Sequence, residues 1–272
     1  MNGYSDVAVV VTAKSRPDYL ERTLRSWEQV RGVESVHTFL LALGRGPMQS
    51  TQMGLASDSS LRIRIRLDSS RADASPGMHR AIGEAIDAAL DSPGVNFVIL
   101  SEEDVVVSDD ILEYFDWARE RMSENMKLLV ACAHNVGGNG WDAKTVEQLD
   151  GGVRWALRDD DTDADQQAVR ALAHFCGWGW GLDRYAWANI IRPKWDWDCN
   201  SGGGSDSGYD WNMQLRILSP NGHLALVPDA ARTQNIGELG GTYSTPAIHA
   251  LQQSLSFREH REPVEYQLKD GS

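Results

Sequence analysis

The sequence predicts an α/β fold on a largely parallel sheet. Continuous apolar, β-branched runs recur through the first half, as expected of strands buried on both faces. Stretches with apolar residues at helical spacing alternate with them, and that alternation places helices over a sheet of parallel strands. The composition is that of a globular protein, 42% apolar and 24% charged over 272 residues. A chain of this size buries roughly three quarters of its unfolded surface, enough for a full core without metals or disulfides.

Val7–Thr12 is the first buried strand, ended by Ala13-Lys14-Ser15-Arg16-Pro17. Leu20, Leu24 and Trp27 then recur at helical spacing behind Pro17, which suits a first turn because its missing N–H has no helical partner to lose. Ser35–Leu43 is the second strand, closed by Gly44-Arg45-Gly46-Pro47. Leu61–Leu67 alternates Leu and Ile with Arg, a half-exposed strand. Met78, Ile82, Ile86 and Leu90 mark the next helix, and Val95–Ser101 the next buried strand. Asp109–Met122 reads as a helix with Ser108 as its N-cap. Strands follow at Lys127–Ala133 and His223–Val227, with glycine-rich loops Gly137–Gly140 and Gly202–Gly204 between them. Residues beyond about Pro246 form a polar tail, read as a helix laid on the body. No linker forces a domain split, so a single domain is expected.

Charge and cysteines narrow the class. The net charge is −13, and five of the 26 basic residues are lysines. Binding to nucleic acid or anionic membrane runs on phosphate neutralisation, which an acidic chain does poorly. There is no run of 18 apolar residues, and Met1–Tyr4 shows no signal-peptide pattern. Cys132, Cys176 and Cys199 lack metal-ligand spacing and fit a reducing compartment. The expectation is a cytoplasmic protein with no membrane partner.

Four segments could carry chemistry. Phe97–Leu100 delivers Ser101-Glu102-Glu103-Asp104 at a strand's carboxyl end, where ligands bind in parallel sheets. Clustered carboxylates repel one another and therefore suit a hard cation, Mn²⁺ or Mg²⁺. Phe175-Cys176-Gly177-Trp178-Gly179-Trp180-Gly181-Leu182 alternates glycine with tryptophan, so backbone can approach a ligand while indole faces offer stacking area; a tryptophan-rich core is the competing reading. Gly208-Tyr209-Asp210-Trp211 puts a carboxylate at a loop-to-helix junction, as a general base or as a helix cap. Arg232-Thr233-Gln234-Asn235-Ile236-Gly237 is a polar, glycine-ended loop able to fold over an anion. Asp159–Asp165 begins like a calcium loop but lacks the glycine at position six and the glutamate at twelve. There is no GxxxxGK[ST], GxGxxG after the first strand, GxSxG or HExxH.

In this order the segments resemble the eukaryotic β-1,2-N-acetylglucosaminyltransferase I family. The strongest match is Glu102-Glu103-Asp104-Val105-Val106-Val107-Ser108-Asp109-Asp110-Ile111-Leu112-Glu113-Tyr114-Phe115, where the family reads EDD, a short turn and a helix ending E-Y-F. Phe175–Leu182, Pro193-Lys194-Trp195, Asp210-Trp211 and Arg232–Gly237 follow in the family's order, and the resemblance spans roughly Val7 to Gly241. It implies a GT-A-type (Rossmann-like) fold, with a mixed, mostly parallel sheet flanked by helices. Residues 1–245 would be the catalytic domain: 1–108 the nucleotide-sugar-binding half, 109–245 the acceptor half, and 246–272 a C-terminal tail. It also implies a metal-dependent, inverting glycosyltransferase drawing on a nucleotide-sugar, with UDP as the nucleotide.

Residue by residue, the resemblance implies Asp104 as the ligand of Mn²⁺ (or Mg²⁺), the nucleotide diphosphate filling other positions. Glu102 and Glu103 would lie beside the uridine, Glu103 near the ribose. Arg16 would contact the nucleotide-sugar, Trp178 would line the sugar pocket, and Arg232 and Thr233 would belong to a loop over the diphosphate. Asp210 would be the base that deprotonates the acceptor hydroxyl. The chain departs from the family at Glu103, where the family has aspartate, and at Leu43-Gly44-Arg45-Gly46, where the family offers an aspartate to the base. Protein, glycan, small glycoside and modified DNA base all remain possible acceptors. The lysine-poor, compact chain fits a bacterial or phage-encoded enzyme. Two other readings stand beside this one: a nucleotidyltransferase using the acidic metal site, and a non-catalytic carbohydrate-binding protein built on the tryptophans.

Overall fold

The computed structural model describes residues 3–44, 46–67, 76–135, 146–149, 152–155, 165–198, 208–238, 257 and 263–269. The predicted loops at 137–140 and 202–204, Cys199 and the acidic run at 159–164 lie outside the described residues.

Strand β1 (Val7–Ala13), helix α1 (Pro17–Glu28), β2 (Thr38–Leu43), α2 (Gln49–Asp58), β3 (Ile63–Leu67), α3 (Pro76–Leu90) and β4 (Phe97–Glu102) make up the first half. Ser35, taken from sequence as the start of the second strand, instead ends a 3₁₀ turn over Val33–Ser35 whose entry needs Gly32 at φ +79°, and the strand begins at Thr38. After β4 come β5 (Val105–Val107), α4 (Ile111–Glu124) and β6 (Leu128–Cys132), a hairpin of β7 (Val146–Leu149) and β8 (Gly152–Trp155), then β9 (Ala168–Leu172) and β10 (Trp180–Asp183). A short turn α5 (Arg184–Ala186) widens into a π-helix over Trp187–Ile191, and α6 (Tyr209–Asn212) widens likewise over Met213–Leu218. Strands β11 (Leu224–Pro228), β12 (Thr233–Asn235) and β13 (Gln267–Lys269) complete the chain.

Nine strands form one mixed sheet in the order β13-β9-β11-β6-β10-β4-β1-β2-β3. The pairs β1·β2, β2·β3, β1·β4, β6·β11 and β9·β13 are parallel; β10 runs antiparallel to both its neighbours, as β11 does to β9. The fold class expected from sequence is thus the one observed, a mixed, mostly parallel sheet flanked by helices. The unbroken apolar run of β1 has the predicted cause: Ala8 and Val10 enter one core, Val7, Val9 and Val11 the other. Leu20, Leu24 and Trp27 of α1 share a face of the sheet with Ile111, Phe115 and Met122 of α4. Ile82 and Ile86 of α3 cover the opposite face together with Trp187, Trp195 and Ile217.

Three local expectations are corrected. Helix α4 starts at Ile111 after Asp110, and Ser108 makes no capping bond; its hydroxyl donates to Asp110 Oδ1 at 2.6 Å. The described end of the tail is not a helix but strand β13, laid parallel to β9 at the sheet edge. Trp180, Trp187 and Trp195 are core residues, which removes them as a stacking surface.

Candidate active site

The chain leaves β1 to pair with β2 on one side, and returns through α3 to place β4 on the other. The strand order therefore reverses between β1 and β4, and a crevice opens beyond their carboxyl ends. Thr12 lies opposite Glu102 in register, so the loop after β1 and the acidic triplet meet there. Glu103 and Asp104 form the turn joining β4 to β5.

Glu103 is buried and heavily engaged. Its Oε2 accepts from the backbone N–H of Lys14 at 2.8 Å, that of Arg16 at 3.4 Å and the Gln52 side chain at 3.4 Å, while Oε1 accepts from Arg16 Nε at 2.8 Å. Its carbonyl accepts from the Thr23 hydroxyl at 2.9 Å. Glu103 is thus the strut that shapes the loop carrying Arg16. Arg16 bridges two acids, since its Nη1 lies 2.8 Å from Asp104 Oδ2. The other oxygen of Asp104, Oδ1, is buried and has no hydrogen-bond partner among the described residues.

Glu102 points toward the other side of the crevice, where the Tyr209 hydroxyl donates to its Oε1 at 2.8 Å; that hydroxyl also lies 3.0 Å from the Gly177 carbonyl. Desolvation first, then the charges of Asp104 and Asp210, push the Glu102 carboxyl up to about 8, against the pull of the Tyr209 hydrogen bond. Asp210 stands at the exposed start of α6, its Oδ1 accepting from the Trp211 N–H at 3.0 Å. Partial desolvation holds its carboxyl above the ordinary value, opposed by that hydrogen bond. Asp210 is thus one of the charges that raise Glu102.

The glycine–tryptophan stretch and the Arg232–Gly237 segment pack together. The Thr233 hydroxyl donates to the Trp178 carbonyl at 2.6 Å, and His134 Nδ1 contacts the Thr233 carbonyl at 2.8 Å while its ring meets Trp178 edge-on at 4.9 Å. Gly179 sits at φ +86° with Thr233 against it, and a side chain at Gly177 would collide with the Tyr209 hydroxyl. Glycine serves here to admit the protein's own side chains, where the sequence reading had assigned it to ligand approach. Trp178 itself is half-buried.

Strand β12 pairs antiparallel with β5, the strand that leaves the acidic turn. The Ile236 N–H donates to the Asp104 carbonyl at 2.7 Å, and Gly237 lies so close that a Cβ there would strike Asp104 Oδ2 and sit 3.0 Å from Arg16 Nη1. Arg232 is not brought to this cluster. Its guanidinium is fully buried, with Nε 3.0 Å from Asp110 Oδ2 and 3.1 Å from the Tyr266 hydroxyl, and other nitrogens on the carbonyls of Ala230 and Gln166. The structure therefore gathers Arg16, Glu102, Glu103 and Asp104, sets Asp210 within electrostatic reach of Glu102, and seats Trp178 and Thr233 on the adjoining strap. Sequence reasoning missed Tyr209, Gln52, His134 and Gly237 as parts of the site. Tyr209 and Gly237 stood inside singled-out strings; Gln52 sits on a helix with no apolar periodicity, and His134 follows a strand without a motif.

Among the described residues no group of three or more His, Cys, Asp and Glu side chains converges on one point. A buried, unpartnered carboxylate oxygen on Asp104 nonetheless suits a hard cation whose remaining ligands come from a bound molecule.

No protein-family model matches the chain. It is 26% identical over 247 residues to the alpha-1,3-mannosyl-glycoprotein 2-beta-N-acetylglucosaminyltransferase of Arabidopsis thaliana, a match covering 86% of this chain and 48% of that enzyme. The chain thus spans about half the length of the curated relative it matches. Among solved structures it is similar to the mannosyltransferase PcManGT of Pyrobaculum calidifontis in complex with GDP-Man and Mn²⁺, at 13% identity and TM-score 0.49, over 82% of this chain and 54% of that one. It is also similar to residues 1–349 of TarS from S. aureus, at 11% identity and TM-score 0.49, over 84% and 59% of the two chains. Over most of its own length, then, this chain is similar in sequence to part of a glycosyltransferase of the kind its ordered motifs resemble.

Proposed function

We propose that the protein is a metal-dependent, inverting glycosyltransferase that moves a sugar from a nucleotide-sugar, UDP-linked, to an acceptor hydroxyl. One observation carries this reading: the ends of β1 and β4 bring Arg16, Glu102 and Asp104 together at the point where the strand order reverses, with Asp210 following Tyr209, whose hydroxyl donates to Glu102. The similarity to a curated glycosyltransferase over most of the chain supports it. The core positions of Trp180, Trp187 and Trp195 weigh against a tryptophan-built sugar-binding surface.

In this reading residues 1–108 bind the nucleotide-sugar and 109–245 bring the acceptor. Asp104 holds Mn²⁺ or Mg²⁺, which when bound supplies charge neutralisation for the leaving diphosphate. Arg16 contacts the diphosphate, Glu102 lies beside the nucleoside, and Glu103 acts through the Lys14–Arg16 loop it shapes. Trp178 lines the sugar pocket, held there by Thr233. Asp210 takes the acceptor proton as the acceptor oxygen bonds to the anomeric carbon and the bond to the diphosphate oxygen breaks. One displacement inverts the anomeric configuration. A carboxyl held above its ordinary value is better matched to a base working near neutral pH.

The test is a thermal-shift screen of nucleotides and nucleotide-sugars with Mn²⁺ or EDTA. A ligand at 100 times its Kd stabilises by about 2.7 kcal/mol. UDP or a UDP-sugar should raise Tm only with Mn²⁺, and Asp104→Ala should abolish the shift. Asp210→Asn should keep the shift and lose roughly 100-fold or more in turnover, the scale of general-base catalysis. No shift with any nucleotide in the wild type would sink the proposal.

A further inference from the structure

We infer that Arg16 and the divalent cation compete for Asp104, so that the cation binds well only when a nucleotide diphosphate draws Arg16 away. The inference rests on the function proposed above and goes on to the order in which the site fills.

The cation that the structure sets on Asp104 is a guanidinium. Arg16 Nη1 sits 2.8 Å from Oδ2, with Nε fixed 2.8 Å from Glu103 Oε1, and the two side chains of the Arg16–Asp104 pair are 20% and 7% exposed. The Tyr19 ring backs the guanidinium, 5.3 Å from ring centroid to Cζ. Gly237 closes against Oδ2 from the strap side, and the Ile236 N–H holds the Asp104 carbonyl at 2.7 Å. A divalent ion coming alone meets one unpartnered oxygen, Oδ1, next to a positive charge already in place. Such an ion requires about six oxygen ligands, and no third acidic or imidazole ligand converges there among the described residues.

A diphosphate changes both halves of that balance. Its oxygens complete the cation's shell, and they offer the planar guanidinium of Arg16 a bidentate anionic partner better than a shared carboxylate oxygen. Arg16 then turns from Asp104 to the phosphates, Oδ2 becomes free, and metal and nucleotide each raise the other's affinity by the same factor. Glu103 does not need the guanidinium to hold the loop, because the backbone N–H groups of Lys14 and Arg16 still reach its Oε2.

The experiment titrates MnCl₂, without and with UDP, into the wild type, Asp104→Asn, Arg16→Gln and Arg16→Gln/Asp104→Asn, following free Mn²⁺ by electron paramagnetic resonance. No acceptor or turnover is needed. For Mn²⁺ alone, Arg16→Gln should bind about tenfold more tightly than the wild type, the scale of one opposing charge removed from a partly buried site. The gain should vanish in the double variant. If Arg16→Gln binds Mn²⁺ no more tightly while the wild type still binds Mn²⁺ with UDP through Asp104, the competition is wrong and the proposed function stands. If the wild type shows no Asp104-dependent Mn²⁺ binding even with UDP, both fall. Should Arg16→Gln fail to fold, the wild type decides: Mn²⁺ bound at Asp104 as tightly alone as with UDP overturns the inference.

Discussion

At the scale of single residues, the site is set by which carboxylates are already engaged. Glu103 and Asp104 are adjacent in sequence, yet one is enclosed by donors from the β1 loop and the other keeps an open oxygen. The acidic triplet was legible because a buried strand ending in consecutive acids is an unusual string. The division of labour within it was not, since it depends on backbone N–H groups 87 and 89 residues earlier in the chain. Arg232 shows the same limit: an arginine beside a threonine reads as an anion contact, and only the position of Asp110 turns it into a buried counter-ion. Gly237 was read as the end of a loop, whereas its lack of a Cβ lets the strap close on the Asp104–Arg16 pair. Gly237→Ala should therefore drive its Cβ into Asp104 Oδ2, displace the carboxylate the cation needs and weaken Mn²⁺·UDP binding about tenfold, ~1.4 kcal/mol, with a small change in Tm. Calorimetric titration of Mn²⁺·UDP checks it; unchanged affinity would place the strap elsewhere during binding.

At the scale of elements, strands packed on both faces were legible from sequence to within a few residues, because their apolar runs have no other stable location. The elements that escaped lack that signal. Helix α2 buries just Gln52 and Ala56, so no stripe marks it. Strand β10 begins at Trp180 inside a glycine–tryptophan string and looked like a ligand loop. Strand β12 is held by pairing with β5 and by what Arg232 does behind it, neither of which is a local property. Arg232 and Asp110 are both fully buried. Arg232→Met would leave Asp110 buried without its cation, at a cost of about 3–5 kcal/mol in urea unfolding. Tyr266→Phe removes a hydroxyl that donates to Asp110 Oδ2 at 2.9 Å, for a loss of about 1–3 kcal/mol. A variant Arg232→Met/Asp110→Leu should recover much of the first loss. If Arg232→Met instead kept its stability and lost nucleotide affinity, Arg232 would be the anion contact its sequence context implied.

At the scale of the whole molecule, the fold class was legible, since strand–helix alternation follows from chain order, and so was the sheet end where the acidic triplet lies. Stability against acid was not, because it depends on how deeply particular histidines are buried. Burial pushes His134 down to about 4, opposed by its contact with the Thr233 carbonyl, and His174 to about 3, helped by His134. Between those values and the ordinary histidine pKa near 6.5, the unfolded chain binds protons that the folded chain does not. The histidine contribution to stability is therefore full above about pH 6.5 and falls as pH drops toward 4, by about 3 kcal/mol for His134, whereas the raised Glu102 carboxyl acts the other way, its contribution lost as pH rises toward about 8. A pH series of Tm should show that fall, and His134→Gln should flatten it; an equal slope in the variant would assign the acid lability elsewhere. Strand β10 has a consequence of another kind. It fills the gap between β4 and β6, but the ribosome makes it about eighty residues after β4. At ~5–20 residues per second, the edge of β4 waits about 4–16 s for its partner, bare Val98 and Leu100 included. Nascent chains halted before Trp180 should therefore recruit chaperones or aggregate, and those halted well past Asp183 should not.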